Sequence, residues 1–166
     1  MKLLLNVLVL VTLSTLITSC LSRTAPPANS FYDLTVKVPA TQVALSVGTF
    51  TAESQYSTKM VFRTDENKVE FAHFHRWANN PEELLKNYCQ QAFSPSSDNV
   101  LDLHILRLEL SEPTSSVIFV ADYTINNQSK RFSKQIRINE SSPAELSRGF
   151  NIAADALIET IHNTLK

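Results

Sequence analysis

The side chains with most chemistry to offer in this sequence are the thiols of Cys20 and Cys89 and the closely spaced histidines His73 and His75. His73 and His75 stand two apart, so on a strand they share a face and could begin a metal site. A metal site needs a third or fourth ligand, and the remaining histidines, His104 and His162, complete no compact motif with them. The pair reads as strand-surface histidine, and neither a metal nor a cofactor is expected. A serine–histidine–acid triad can be drawn in any chain this rich in serine, but no nucleophile motif supports one. Glycine is the telling shortage, with only Gly48 and Gly149 present. Phosphate-cradling loops and nucleophile elbows need glycine where the backbone turns sharply or meets a ligand. The sequence therefore argues against nucleotide binding and α/β-hydrolase chemistry, and a non-enzymatic protein is expected. The formal net charge is −1 and the Lys and Arg residues are scattered, so there is no basic stripe for nucleic acid.

Cys20 has a different meaning. It follows an apolar run from Leu3 to Ile17 that begins after Lys2, and Leu16-Ile17-Thr18-Ser19 lead into it. A cationic start, an apolar middle and small residues before a cut compose a secretory signal peptide. At roughly 15 residues the run is shorter than the ~20 that span a bilayer. With cysteine directly after the cut, the pattern resembles a bacterial lipobox. That resemblance implies cleavage before Cys20, a diacylglycerol thioether on its sulfur, and a protein held to a membrane by lipid. An uncleaved anchor, or an ordinary signal peptide with an incidental cysteine, are the competing readings. Each buried methylene contributes about 0.8 kcal/mol, so two or more acyl chains anchor where one binds marginally. Leu21 stands where an inner-membrane retention signal would usually show Asp. By analogy with lipoprotein sorting, this points to the outer membrane, facing the periplasm. Once Cys20 is lipidated, Cys89 has no intrachain partner. Beside Leu85 and Phe93 on a predicted helix it reads as a packed thiol.

Residues 1–19 are then signal peptide, 20–30 a flexible tether carrying Pro26 and Pro27, and 31–166 a single domain with one core. Phe31 to Val38 alternates, with Tyr32, Leu34, Val36 and Val38 on the inward face. Val43 to Phe50 is a second strand, with Val43, Leu45 and Val47 inward. Lys59–Thr64 and Lys68–His75 form a hairpin around Asp65-Glu66-Asn67. Asn80, Pro81, Glu82 and Glu83 open a helix reaching about Phe93. Val100–Glu109 reads as a central strand, apolar at Leu101, Leu103 and Ile105 on one face and at Leu106 and Leu108 on the other. Ser116–Asn126 and Lys130–Asn139 make a second hairpin around Asn127-Gln128-Ser129. Ser142 and Pro143 start a last helix whose Leu146, Phe150, Ala153, Leu157, Ile161 and Leu165 share a stripe, with Gly149 allowing close approach to the sheet. The fold class is α/β (α+β), with a mixed or mainly antiparallel sheet packed by two main helices.

Tyr32-x-Leu34 past the tether, the Met60-Val61-Phe62-Arg63 strand, and Arg76-Trp77-Ala78-Asn79-Asn80-Pro81 leading into the first helix carry a family resemblance. In this order, followed by three long strands and a C-terminal helix, the chain resembles the auxiliary lipoproteins of ABC-type transport systems. These accompany mammalian-cell-entry-type substrate-binding proteins in bacterial lipid trafficking. The resemblance covers nearly the whole mature chain. It departs from the pattern at Gln55–Lys59, which lacks the proline- and arginine-containing stretch often found there. It implies a lipid-anchored, periplasm-facing and non-catalytic subunit whose partners are a mammalian-cell-entry-type protein and an ABC permease complex, and it allows a homo-oligomer.

Arg63, Arg76 and Trp77 are the candidate residues, either for partner binding or for structure. Trp and Arg are enriched at interface hot spots. The structural reading has Trp77 packing the sheet-to-helix joint and Arg63 pairing a carboxylate, and it is preferred on the general behaviour of such residues. Two functional classes follow. A docking subunit predicts an exposed edge strand or apolar patch with no deep cavity. A stand-alone carrier of a lipid or hydrophobic ligand predicts an enclosed apolar pocket between sheet and helix.

Overall fold

In the computed structural model, which describes residues 27–37, 43–95 and 98–165, the elements are β1 (Ser30–Tyr32), β2 (Ser46–Ala52), β3 (Lys59–Asp65), β4 (Lys68–Trp77), α1 (Pro81–Ala92), β5 (Val100–Ser111), β6 (Ser116–Ile125), β7 (Gln128–Arg137) and α2 (Pro143–Thr164). They form one mixed α/β domain, a sheet of order β1-β4-β3-β5-β6-β7 in which β2 also pairs with β5. β5 is the spine. Along one edge it pairs antiparallel with β6 from Leu101 to Ser111. Its other edge is shared by two parallel partners, β2 at Val100–Ile105 and β3 at Leu110 and Ser111. β5 thus lies in the middle of the sheet, as the largely apolar character of Val100–Glu109 predicts.

The sheet packs its Leu101, Leu103, Ile105, Leu108 and Leu110 row, with Val117, Phe119 and Ala121 of β6, beneath the helices. Alternation ends at a bulge between Ile105 and Arg107. The extra residue, Leu106, flips the strand. Leu108 and Leu110 therefore continue the inward row, and Arg107 and Glu109 point to the opposite face. The expectation that Leu108 lies opposite Leu101 is corrected here: strict period-2 reading ignores the bulge. A second bulge lies between Val47 and Phe50 of β2, where Gly48 passes close to β5. A Cβ on Gly48 would run into the Asp102 carboxylate and come within 2.9 Å of Val100.

The helices follow from their caps and stripes. Ser142 accepts a hydrogen bond from the Glu145 N–H at 3.2 Å, capping α2. The α2 face carrying Leu146, Phe150, Ala153, Leu157 and Ile161 is buried. Gly149 lets this helix settle on β6, because a Cβ there would lie 2.6 Å from Val117. Asn80 sits at the N-cap of α1 in extended conformation, but its side chain makes no capping bond. Pro81 and the first-turn acids Glu82 and Glu83 carry that helix start instead.

Three boundaries differ from the sequence reading. Phe31–Val38 is paired only at Ser30–Tyr32, against His75–Trp77 of β4. Beyond Tyr32 the inward alternation persists, with Leu34 and Val36 half-buried. The Thr35 N–H, however, bonds the Asn151 side chain of α2 at 2.8 Å, so the segment runs onto the helices and not along a strand. Val38 lies outside the described residues. The second strand begins later and ends at Ala52. The last hairpin turns at Asn126-Asn127, one position earlier than predicted, with φ of 51° and 64°. Both residues take the left-handed region that a two-residue hairpin of this twist demands and that Asn tolerates.

Candidate functional site

Trp77 ends β4 and is 2% exposed. Its ring meets Phe150 of α2 edge-on at 5.4 Å, and Phe150 meets Phe119 of β6 at 5.3 Å. This aromatic column ties the β4–α1 junction to α2 and the sheet, so Trp77 is a packing residue. Arg76 points the other way by alternation and pairs in register with Phe31 and Lys59; its Nε is buried without a hydrogen-bond partner among the described residues. Arg63 lies near the closed end of the same hairpin, opposite Val69. The hairpin thus separates Arg63 from Arg76 and Trp77.

Arg63 belongs to a different constellation, on the face of the sheet that the helices leave bare. Its Nε donates to Glu109 Oε1 at 2.6 Å and its Nη2 to Oε2 at 3.1 Å, a bidentate fork. Its Nη1 donates to the Glu66 carbonyl at 2.9 Å. Arg107 donates from Nε to Glu109 Oε1 at 2.7 Å and from Nη2 to the same oxygen. Glu109 is 0% exposed, whereas the Arg63 and Arg107 side chains are 23% and 38% exposed. Burial pushes the Glu109 pKa up, and the hydrogen bonds from Arg63 and Arg107 more than reverse that, holding the carboxyl below the ordinary carboxylate range. Burial also pushes the nearby Tyr56 hydroxyl up, and the Glu109 charge adds to it. Above the triad lies an open groove of about 740 Å³, lined by Tyr56, Arg63, Arg107, Ser111, Thr114 and Ile118 among others.

The sequence reading reached Arg63 and its carboxylate partnership but missed Glu109 and Arg107. Their signal was present in Arg107-Leu108-Glu109-Leu110, whose alternation places Arg107 and Glu109 together on the face opposite Leu108 and Leu110. The histidines are dispersed. His75 lies 3.3 Å from the Tyr32 hydroxyl, and His104 contacts Thr51 at 2.7 Å and Glu53 at 3.3 Å. Among the described residues no three His, Cys, Asp or Glu side chains gather as a metal site would require. Cys89 is fully buried in the core, and desolvation pushes its thiol pKa far up. Cys20 and the segment expected to be a signal peptide lie outside the described residues. No described helix is long and apolar enough to cross a membrane.

No protein-family model and no curated protein matches the sequence. Solved structures share the fold, two of them as follows. One is protein XCC0632 from Xanthomonas campestris, of family DUF330, with TM-score 0.66 and 16% identity over 80% of this chain and 92% of that one. The other is an uncharacterized protein with TM-score 0.66 and 14% identity over 84% of this chain and 97% of that one. At these identities the likeness is one of fold.

Proposed function

We propose that this chain is a non-catalytic, lipid-anchored, periplasm-facing subunit of an ABC/mammalian-cell-entry-type transport system. It docks a partner at, or gates, the outer-membrane end of a lipid path. The observation that carries this reading over a carrier is the filled space between sheet and helices. Trp77, Tyr88, Phe119, Phe150, Leu108 and Leu146 occupy it, each nearly or wholly without exposure. A carrier must enclose its ligand, whereas a docking subunit works through its surface. The β3–β4 hairpin supplies such a surface, with Val69 and Phe71 exposed beside Arg63. The Cys20 pattern supports the lipid anchor, and the family resemblance supplies the partner class.

One observation favours the carrier reading. A groove of about 440 Å³ runs along α2, lined by Ile152, Ala156, Ile158 and Lys134 of β7 among others. Affinity purification of the intact chain from bacterial envelopes in mild detergent separates the two. Recovery of a mammalian-cell-entry-type protein or its permease is the expected result. A lone protein carrying stoichiometric lipid would overturn the docking reading in favour of a carrier.

A further inference from the structure

We infer that the groove over Arg63, Arg107 and Glu109 is a binding site for a phosphate-type oxyanion, with Arg107 as its principal ligand. The inference starts from a mismatch between the charges and the need to neutralise them. One buried carboxylate is satisfied by one guanidinium fork, and Arg63 already provides it by reaching both oxygens of Glu109. Arg107 reaches Glu109 only through Oε1, the oxygen Arg63 Nε already occupies. The second arginine therefore adds a cation without serving a new acceptor. Within this triad, two guanidiniums on a single carboxylate leave one positive charge in surplus.

The geometry presents that charge to a ligand. Both hydrogen bonds of Arg107 run to Glu109 from Nε and Nη2, so its Nη1 edge keeps its donors unspent among the described residues. The Arg107 side chain is 38% exposed and lines the groove of about 740 Å³. Glu109, wholly buried beneath, anchors both guanidiniums before any ligand arrives, which removes much of the ordering cost of capturing an anion. The hydroxyl-bearing residues Tyr56, Ser111 and Thr114 line the same groove, the Thr114 hydroxyl being held by Ser116 at 2.6 Å. A tetrahedral anion with several oxygens can use a guanidinium edge and hydroxyl donors from different directions; a planar carboxylate uses fewer. Exposed Glu66 at the rim of the same groove opposes the charge and weakens anion binding, without donating to or shielding the Arg107 Nη1 edge. The phosphate group can belong to a lipid headgroup or to a free phosphate. The site stands on the groove itself and not on the transport reading, so titration and pull-down can fail separately.

The test is titration of the full chain in a non-ionic detergent with three probes: inorganic phosphate, dihexanoylphosphatidylglycerol, and dihexanoylglycerol, which has the same acyl chains without phosphate. Calorimetry gives the affinity, and the NMR signal of the Arg107 Nε–H locates the contact. Binding of either phosphate-bearing probe with a shift at Arg107, and about tenfold weakening in Arg107→Gln, is the expected result. Response to phosphate alone identifies a soluble source, and response to the phospholipid alone identifies a headgroup. Arg107→Gln leaves the Arg63–Glu109 fork in place, so its fold is retained. Glu66→Gln, which removes the opposing rim charge, is expected to tighten binding. The proposal is overturned if neither phosphate-bearing probe binds the parent chain, if Arg107→Gln binds as well as the parent, or if dihexanoylglycerol binds equally.

Discussion

Replacing Arg63 with methionine strips a carboxylate that has no access to water of one of its two guanidinium partners. Arg63 is the sole donor to Glu109 Oε2 among the described residues and one of the donors to Oε1, whereas Arg107 reaches Oε1 alone. Breaking a buried ion pair by removing one partner costs about 3–5 kcal/mol. Arg107 remains to hold part of the charge, so the lower end, about 3 kcal/mol, is expected for Arg63→Met. In a domain of this size that lowers Tm by about 6–12 °C. Urea unfolding across pH supplies the decisive signature. The native Glu109 pKa lies below its unfolded value, so the stability it contributes is present above the unfolded pKa of about 4.3 and is lost as pH falls through the depressed native pKa. In Arg63→Met the native pKa rises, so the buried carboxylate costs stability at neutral pH and ceases to do so once protonated. The gap between parent and variant is therefore widest near neutrality and narrows on acidification. The double variant Arg63→Met with Glu109→Leu should recover most of the loss, since an apolar pair replaces a buried ionic one at little cost. A gap below about 1 kcal/mol at neutral pH, or one that stays constant into acid, would show that Glu109 does not depend on Arg63 for its charge. A double variant as unstable as Arg63→Met would assign the loss to the arginine stem and its packing.

Gly149→Ala should destabilise by about 1–3 kcal/mol despite the better helix propensity of alanine, because its Cβ would meet Val117 at 2.6 Å; thermal unfolding of Gly149→Ala with and without Val117→Ala measures the relief. Ser142→Ala should cost about 1 kcal/mol and Asn80→Ala only a few tenths, since only Ser142 makes a capping bond; equal losses in denaturant unfolding would contradict the cap geometry. Cys89 should resist alkylation in the folded chain and react fully after denaturation, read by peptide mapping; rapid native labelling would place the thiol outside the core.

Much of the fold was legible because period and punctuation agree. The 3.6-residue stripe of Leu146, Phe150, Ala153, Leu157 and Ile161 became the buried face of α2, and Ser142-Pro143 marked its start correctly. Sequence also foresaw the packing role of Trp77 and a carboxylate for Arg63, since a large aromatic at a strand–helix joint and an arginine beside a sheet have few other ways to be satisfied. The first strand failed for a tertiary reason. Its alternation is real, but the Asn151 side chain captures the Thr35 backbone N–H, a partner more than a hundred residues away that local pattern does not reveal. The hairpin turn slipped by one because Asn126 and Asn127 both adopt positive φ, a conformation that asparagine permits without the glycine that usually announces it.

The site was hidden by a single inserted residue. Under strict alternation from Leu101, Leu103 and Ile105, Arg107 and Glu109 would point into the core, a placement no fold would tolerate without partners. The strand resolves the conflict at Leu106, where the bulge returns Leu108 and Leu110 to the core and turns both charges to the open face. Arg63 then meets them from β3, because Arg63 pairs with Ser111 and so shares the face of Glu109. The conflict between the apolar period and the charged positions was itself the readable clue. A strand whose alternation would bury two charges in sequence neighbours of leucine must break its register, and the break is where charge concentrates on the surface that remains uncovered.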